Sequence, residues 1–178
     1  MAIFWQRIIR AAKLDTRLYE EVEKDTQALP QAMGVVIISA VAAGIGVASQ
    51  IQIGMPGILF GAFAGLISWY VWALLTYLIG TKLLPEPQTK ADLGELLRTI
   101  GFSSSPGLIR VLGAIAGFGR IVFSLAAAWM FVAMVIAVKC ALDYKSLWRA
   151  VGVCLIGWIV QALLLAFLVA LLGGLKTV

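Results

Sequence analysis

The chain has 178 residues, 62% hydrophobic and 13% charged, with a net charge of +5 from 14 Lys+Arg against 9 Asp+Glu and no His. A soluble domain of this size has about 25% charged residues, so the apolar excess needs lipid rather than one small core to cover it. The lack of His excludes imidazole–metal sites and His-based acid–base catalysis. The cations stand in short clusters beside apolar runs, which suits anionic lipid headgroups and topology control better than a nucleic-acid patch, so no nucleic-acid partner is expected.

Residues 1–30 contain no apolar core followed by a small-residue cleavage site, so the first long apolar run is expected to insert and stay. Ile3, Phe4, Trp5, Ile8, Ala11 and Ala12 supply one side of a helix, and Arg7, Arg10, Lys13 and Arg17 recur every three or four residues on the other. That pattern predicts an interfacial helix with its cations towards phosphates, a candidate surface for anionic lipid or a partner. Asp15 is placed to cap a second helix reaching Glu23, because its side chain can accept from freed backbone N–H groups. Glu20, Glu21, Glu23 and Asp25 make a water-facing second helix the expectation; the alternatives are that this acidic helix pairs with the basic one within the protein or presents a face to a soluble partner.

The apolar runs follow. Residues 33–49 are charge-free and near the minimum length for a crossing of about 30 Å. A turn over 50–56 holds Gly54 and Pro56, and a second crossing at 57–80 gathers Trp69, Tyr70, Trp72 and Tyr77 towards its far end, where interfacial aromatics collect. The loop 81–99 opens with Pro85 and Pro87 and continues as a short amphipathic helix over 91–98. Residues 100–119 have the length of a crossing but contain Ser103, Ser104, Ser105 and Pro106 and carry Arg110 near the middle. Clean crossings at 121–138 and 151–172 are joined by a polar connection, the last ending at Gly173, Gly174 and Lys176.

The expected fold is all-α: a polytopic membrane protein whose bundle of five transmembrane helices (31–178) follows amino-terminal amphipathic interfacial helices (1–30). A re-entrant hairpin at 100–119 would leave four crossings, and positive charge separates the two topologies. With five, Arg7, Arg10, Lys13, Arg17, Lys24, Lys82, Lys90, Arg98, Lys139, Lys145 and Arg149 all lie inside, leaving only Arg110, Arg120 and Lys176 elsewhere. With four, Lys139, Lys145 and Arg149 move outside. Five crossings, amino terminus cytoplasmic and carboxyl terminus outside, is the expectation.

Arg110 is the residue most in need of a reason, since a cation in mid-membrane costs about 3 kcal/mol on insertion scales. Ser103, Ser104, Ser105, Pro106 and Arg110 form a candidate polar site for a ligand, headgroup or ion; the structural alternative is an arginine that satisfies carbonyls freed by Pro106. Glu95 and Asp143 are the candidate counter-ions. Gly57, Gly61 and Gly65 recur every fourth residue, and Gly113 and Gly117 repeat the spacing, as at close helix–helix contacts or a homodimer seam. Cys140 and Cys154 read as small apolar residues. The serines lack a base, no glycine loop cradles phosphate, and no acid chain crosses the membrane, so neither catalysis, a cofactor nor proton pumping is expected.

The stretch 93–102 (LGELLRTIGF) running into Ser105, Pro106 and Gly107, and the later 129–141 (WMFVAMVIAVKCA) followed by Leu142, Asp143 and Tyr144, resemble the Yip-domain membrane proteins of the Yip/Yif, Rab-interacting type. The resemblance covers most of the chain from Leu18 onward and is closest to small bacterial members. It implies five crossings, a cytoplasmic amino terminus, a bacterial inner membrane and no catalytic residues. The association of eukaryotic members with Rab GTPases is not carried over, because the chain lacks their long amino-terminal region. The expected function is a non-enzymatic scaffold or accessory subunit, working with a membrane-protein partner, a second copy or lipid through Arg7 to Glu23, Asp92, Glu95, Asp143 and Tyr144. The alternative is a small transporter or channel with its path at Ser103–Ser105, Pro106 and Arg110.

Overall fold

The computed structural model describes residues 2–48, 51, 54–115 and 117–174. In chain order these form α1 (Ala2–Ala12), α2 (Thr16–Lys24), a 3-10 turn (Thr26–Ala28), α3 (Leu29–Ala48), α4 (Gly54–Leu78) prolonged by a π turn (Ile79–Leu83), α5 (Leu93–Ser103), a 3-10 helix (Ser105–Ala114), α6 (Gly119–Ala141) and α7 (Leu147–Gly174). Among the described residues there is no strand.

Four helices are long and apolar enough to cross a membrane: Thr26–Ala48, Gly54–Leu83, Gly119–Ala141 and Leu147–Leu164. Between 17% and 33% of each apolar window is buried inside the protein, so most of that surface points outward. Phe60, Phe63 and Trp158 are among the large exposed side chains, a distribution that water would penalise and acyl chains accept.

The boundaries depart from the sequence reading in ways with local causes. Helix α3 starts at Leu29 rather than 33, because the Asp25 carboxylate accepts from the Gln27 N–H and turns the chain straight in. Helix α4 starts at Gly54 rather than 57. Gly54 sits at φ +58 and Pro56 falls in the first turn, where its missing N–H has no partner to lose. Ser49 and Gln50, at the expected end of the first crossing, and Lys176 lie outside the described residues.

The stretch 100–119 is not one helix. Its first residues belong to α5, whose start is set by a capping box: Asp92 accepts from the Glu95 N–H and Glu95 from the Asp92 N–H, each at 2.8 Å. Helix α5 ends at Ser103, and the chain continues as a ten-residue 3-10 helix to Ala114. The cause is Pro106, which has no N–H for the Phe102 carbonyl and disfavours α geometry just before it. Ser105 Oγ donates to that carbonyl at 2.7 Å instead, and Ser103 Oγ donates to the Ile100 carbonyl at 2.7 Å.

Packing sets this broken segment directly against α3. A methyl at Gly101 would lie 2.7 Å from Ala32 Cβ, and one at Gly107 would strike Ser39 Oγ. One at Gly46 would fall on the Arg110 carbonyl, and Gly113 comes within reach of the Gly46 carbonyl. The contacts march from Ala32 to Gly46 as the segment runs from Gly101 to Gly113, so the two run parallel over about 21 Å of α3 at 1.5 Å per residue. The broken segment covers that distance with fewer residues because a 3-10 helix rises about 2.0 Å per residue.

Candidate functional site

Arg110 lies on the 3-10 helix against the middle of α3. Its Nε donates to the Gly107 carbonyl at 3.1 Å, and one Nη donates to Ser39 Oγ at 2.8 Å and to the Ser39 carbonyl at 3.2 Å. Ser39 is buried and stands about 15 Å along α3 from Leu29. Among the described residues no carboxylate is within ion-pair distance of Arg110. The guanidinium is therefore held by neutral oxygens, avoiding the desolvation of a second ion. The other Nη makes none of these bonds.

Of the residues grouped with Arg110 from sequence, Ser103, Ser105 and Pro106 are buried, and both buried hydroxyls are committed to their own backbone. Ser104 caps the α5 end through its N–H. The structure brings Arg110 to Ser39 rather than to the serine run, and the proposed counter-ions are elsewhere. Glu95 caps α5, and Asp143 is exposed in the turn between α6 and α7 at φ +55. Sequence reasoning missed Ser39; its signal was a lone hydroxyl in the middle of an otherwise apolar crossing.

A second polar site caps the same bundle at the α1–α2 end. Arg7 is buried, with Nη2 2.8 Å from Asp25 Oδ2 and 2.9 Å from Glu21 Oε1, and it also donates to Gln31 at 3.1 Å. Arg10 pairs with Asp15 and Glu21 at 2.8 and 2.6 Å. Arg10 holds the Asp15 carboxyl below its usual range, as Arg7 does for Asp25. Asp15 still caps α2 by accepting from the Arg17 N–H at 3.0 Å. Arg7 and Arg10 thus spend their charge inside the protein, and Lys13 and Arg17 are the members of that basic set left exposed.

Helix α2 is docked rather than simply water-facing. Leu18, Tyr19 and Val22 are fully buried, and the Tyr19 hydroxyl donates to the Ala11 carbonyl at 3.3 Å. Arg98 of α5, 6% exposed, reaches the carboxyl end of α2 and donates to the Val22 carbonyl at 2.9 Å and to the Glu23 carbonyl. A guanidinium there satisfies carbonyls with no intrahelical partner and meets the negative end of the helix dipole. Glu23 is 7% exposed. Burial pushes its carboxyl up to about 7, and Asp143 and Glu95 push the same way.

The remaining candidates are structural in their contacts. Tyr144 is buried, its hydroxyl 2.9 Å from the Gly80 carbonyl and 2.7 Å from that of Leu84, so it tethers the π turn and offers no surface. Burial raises the Tyr144 hydroxyl to about 12. Asp92 is exposed as a cap residue. Gly61 has nothing within 4 Å of an added methyl, Gly65 would meet Ala40 Cβ at 3.2 Å, and Gly57 lies in the first turns of α4. Gly113 would meet Phe123 at 2.6 Å, and Gly117, at φ +84, ends the turn before α6. The tightest approach uses Gly46, which the glycine spacing did not single out.

A family model described as Yip1 domain matches residues 16–170. The chain belongs to the Yip1 domain family. It is an integral membrane protein, as the four apolar helices require. No curated protein and no solved structure matches it. The Yip1 match includes α2, the broken segment and most of α7, while α1 precedes it. The Arg98 and Arg110 contacts both lie within the matched region; Arg7 and Arg10 reach into it from outside.

Proposed function

We propose that this Yip1-domain protein is a non-enzymatic membrane scaffold or accessory subunit that organises partner proteins or lipids. We further infer five crossings, with the amino terminus in the cytoplasm. The parallel run of the α5–3-10 segment along α3 supports the fifth crossing, since it follows the same depth from Ala32 to Gly46. The observation that carries the scaffold reading is the fate of the polar groups. Arg110 is bound by carbonyls and a hydroxyl, the buried serines by their own backbone, and Arg7, Arg98 and Tyr144 by neighbouring elements. Groups that hold helices together in this way are not free to line a path for a solute. Outward charge at Arg17, Glu20, Lys24 and Asp92 lies on the α2–α5 end, where a soluble or membrane partner can reach it.

Solubilisation in mild detergent, capture of the full chain and mass spectrometry of what elutes tests this directly. A stable partner lost in an Arg17→Glu/Lys24→Glu variant is the expected result; a chain that elutes alone under every detergent counts against it. The transport reading has one observation in its favour, the absence of a counter-ion to Arg110 among the described residues. Ion flux through reconstituted liposomes that disappears in Arg110→Ala would replace the scaffold reading with it.

A further inference from the structure

Between α6 and α7 lies an open apolar groove of about 220 Å³, lined by Phe131, Val132, Val135, Ile136, Leu147 and Val151. Its α6 wall is a single stripe, because residues three and four apart share a helix face. Lys139 stands three residues beyond Ile136 and four beyond Val135, so it continues that stripe by one turn at the end where α6 finishes. The groove floor lies about 7 to 15 Å below Ala141, and Lys139 about 3 Å below it, at 1.5 Å per residue. Lys145, exposed, precedes the Leu147 wall by two residues. Trp148, 81% exposed, marks the same level, as aromatics do at the headgroup boundary.

The cations at this rim differ in what they are doing. Arg149 is engaged, with Nη1 donating to the Pro85 carbonyl at 2.7 Å and Nε 3.6 Å from Glu86. Lys139 and Lys145 make no side-chain ion pair among the described residues. Asp143 is the one carboxylate within the connecting turn itself. An apolar slot with a lysine one turn along its α6 stripe and another two residues before its α7 wall matches one kind of molecule, an acyl chain ending in a negative headgroup.

We propose that the α6–α7 groove is a binding site for an anionic phospholipid, its acyl chain on Val132, Val135, Ile136 and Val151 and its phosphate between Lys139 and Lys145. This deepens the lipid part of the scaffold reading at a place distinct from the amino-terminal cations, and a failed partner capture leaves it standing. The test is native mass spectrometry of the full chain in detergent, with phosphatidylglycerol or phosphatidylcholine carrying identical acyl chains. Each basic residue near an anionic surface favours binding severalfold, so retention of phosphatidylglycerol is expected to exceed that of phosphatidylcholine by about tenfold. Lys139→Gln/Lys145→Gln should bring the two lipids to equality, and Val132→Trp, an exposed position that fills the slot, should reduce both. Arg120→Gln, exposed at the opposite end of α6, should leave the preference intact. Equal retention by the unmodified chain overturns the proposal. So does an equal loss in the Arg120 variant, which would mean bulk charge, or a second copy of the chain displaced by Val132→Trp, which would make the groove an interface.

Discussion

The α1–α2 cap and the seam between α3 and the 3-10 helix each bind an arginine, but with different partners. In the cap, Arg7 meets two carboxylates, Glu21 and Asp25, that are about a third exposed at the side chain. In the seam, Arg110 meets only carbonyls and the Ser39 hydroxyl. Water reaches the cap, so the second ion of each pair is cheap there, whereas in the apolar seam every added charge would bring its own desolvation penalty. Arg98 lies between the two: buried like the seam, at the edge of the cap, and bonded to carbonyls at the end of α2. The lesson is that depth, more than sequence neighbourhood, decides whether an arginine is neutralised or merely solvated by the protein.

The largest expected effect is at Arg98. Arg98→Ala strands the Val22 and Glu23 carbonyls at the end of α2 and should lower stability by about 3 kcal/mol, read as thermal unfolding in detergent. A wild-type melting temperature would show that α2 is held by its apolar face alone. Next is the seam. Gly46→Ala drives a methyl into the Arg110 backbone and should cost about 2 kcal/mol, while Gly61→Ala, with open space around it, stays within about 0.5 kcal/mol. Equal effects at the two glycines would remove the distinction between seam and outward face.

The third expectation concerns pH. The Glu23 carboxyl takes up its proton near 7 in the folded protein and near 4.5 in the unfolded chain. Between those values the folded state holds the extra proton, so stability falls as pH rises through the window and is highest towards its acid end. Melting followed from pH 5 to pH 8 should show this decline, and Glu23→Gln should flatten it and be the more stable protein at pH 8. A Gln variant that keeps the same decline would assign it to another group. The smallest effect is the exposed part of the cap. Asp25→Asn should lose about 0.5 to 1 kcal/mol, and the loss should shrink in high salt, whereas the Gly46→Ala loss should not.

Some of this was legible from residue order. Asp15 before α2 acts as the cap its position suggests, because capping is a matter of a few adjacent residues, whereas Asp92 and Glu95, read from sequence as surface carboxylates, turned out to cap α5. Pro106 and its serines marked the place where helical geometry changes. What the spacing did not convey was the form of the change, a 3-10 continuation that stays against α3. An acidic helix following a basic one left pairing between them open; what the spacing did not convey was which cations pair, Arg7 and Arg10 with Asp15, Glu21 and Asp25.

By itself, then, the sequence determined that the chain is helical, lives in a bilayer and caps α2 at Asp15, because apolar length and caps are local properties. Tertiary structure alone decided that Arg110 finds Ser39, that Gly46 is the close-approach glycine, and that Arg98 and Tyr144 serve as tethers. The physical reason lies in the lipid. Helices apolar on every side carry no amphipathic stripe to say which face meets which neighbour, so those pairings appear only once the bundle is assembled.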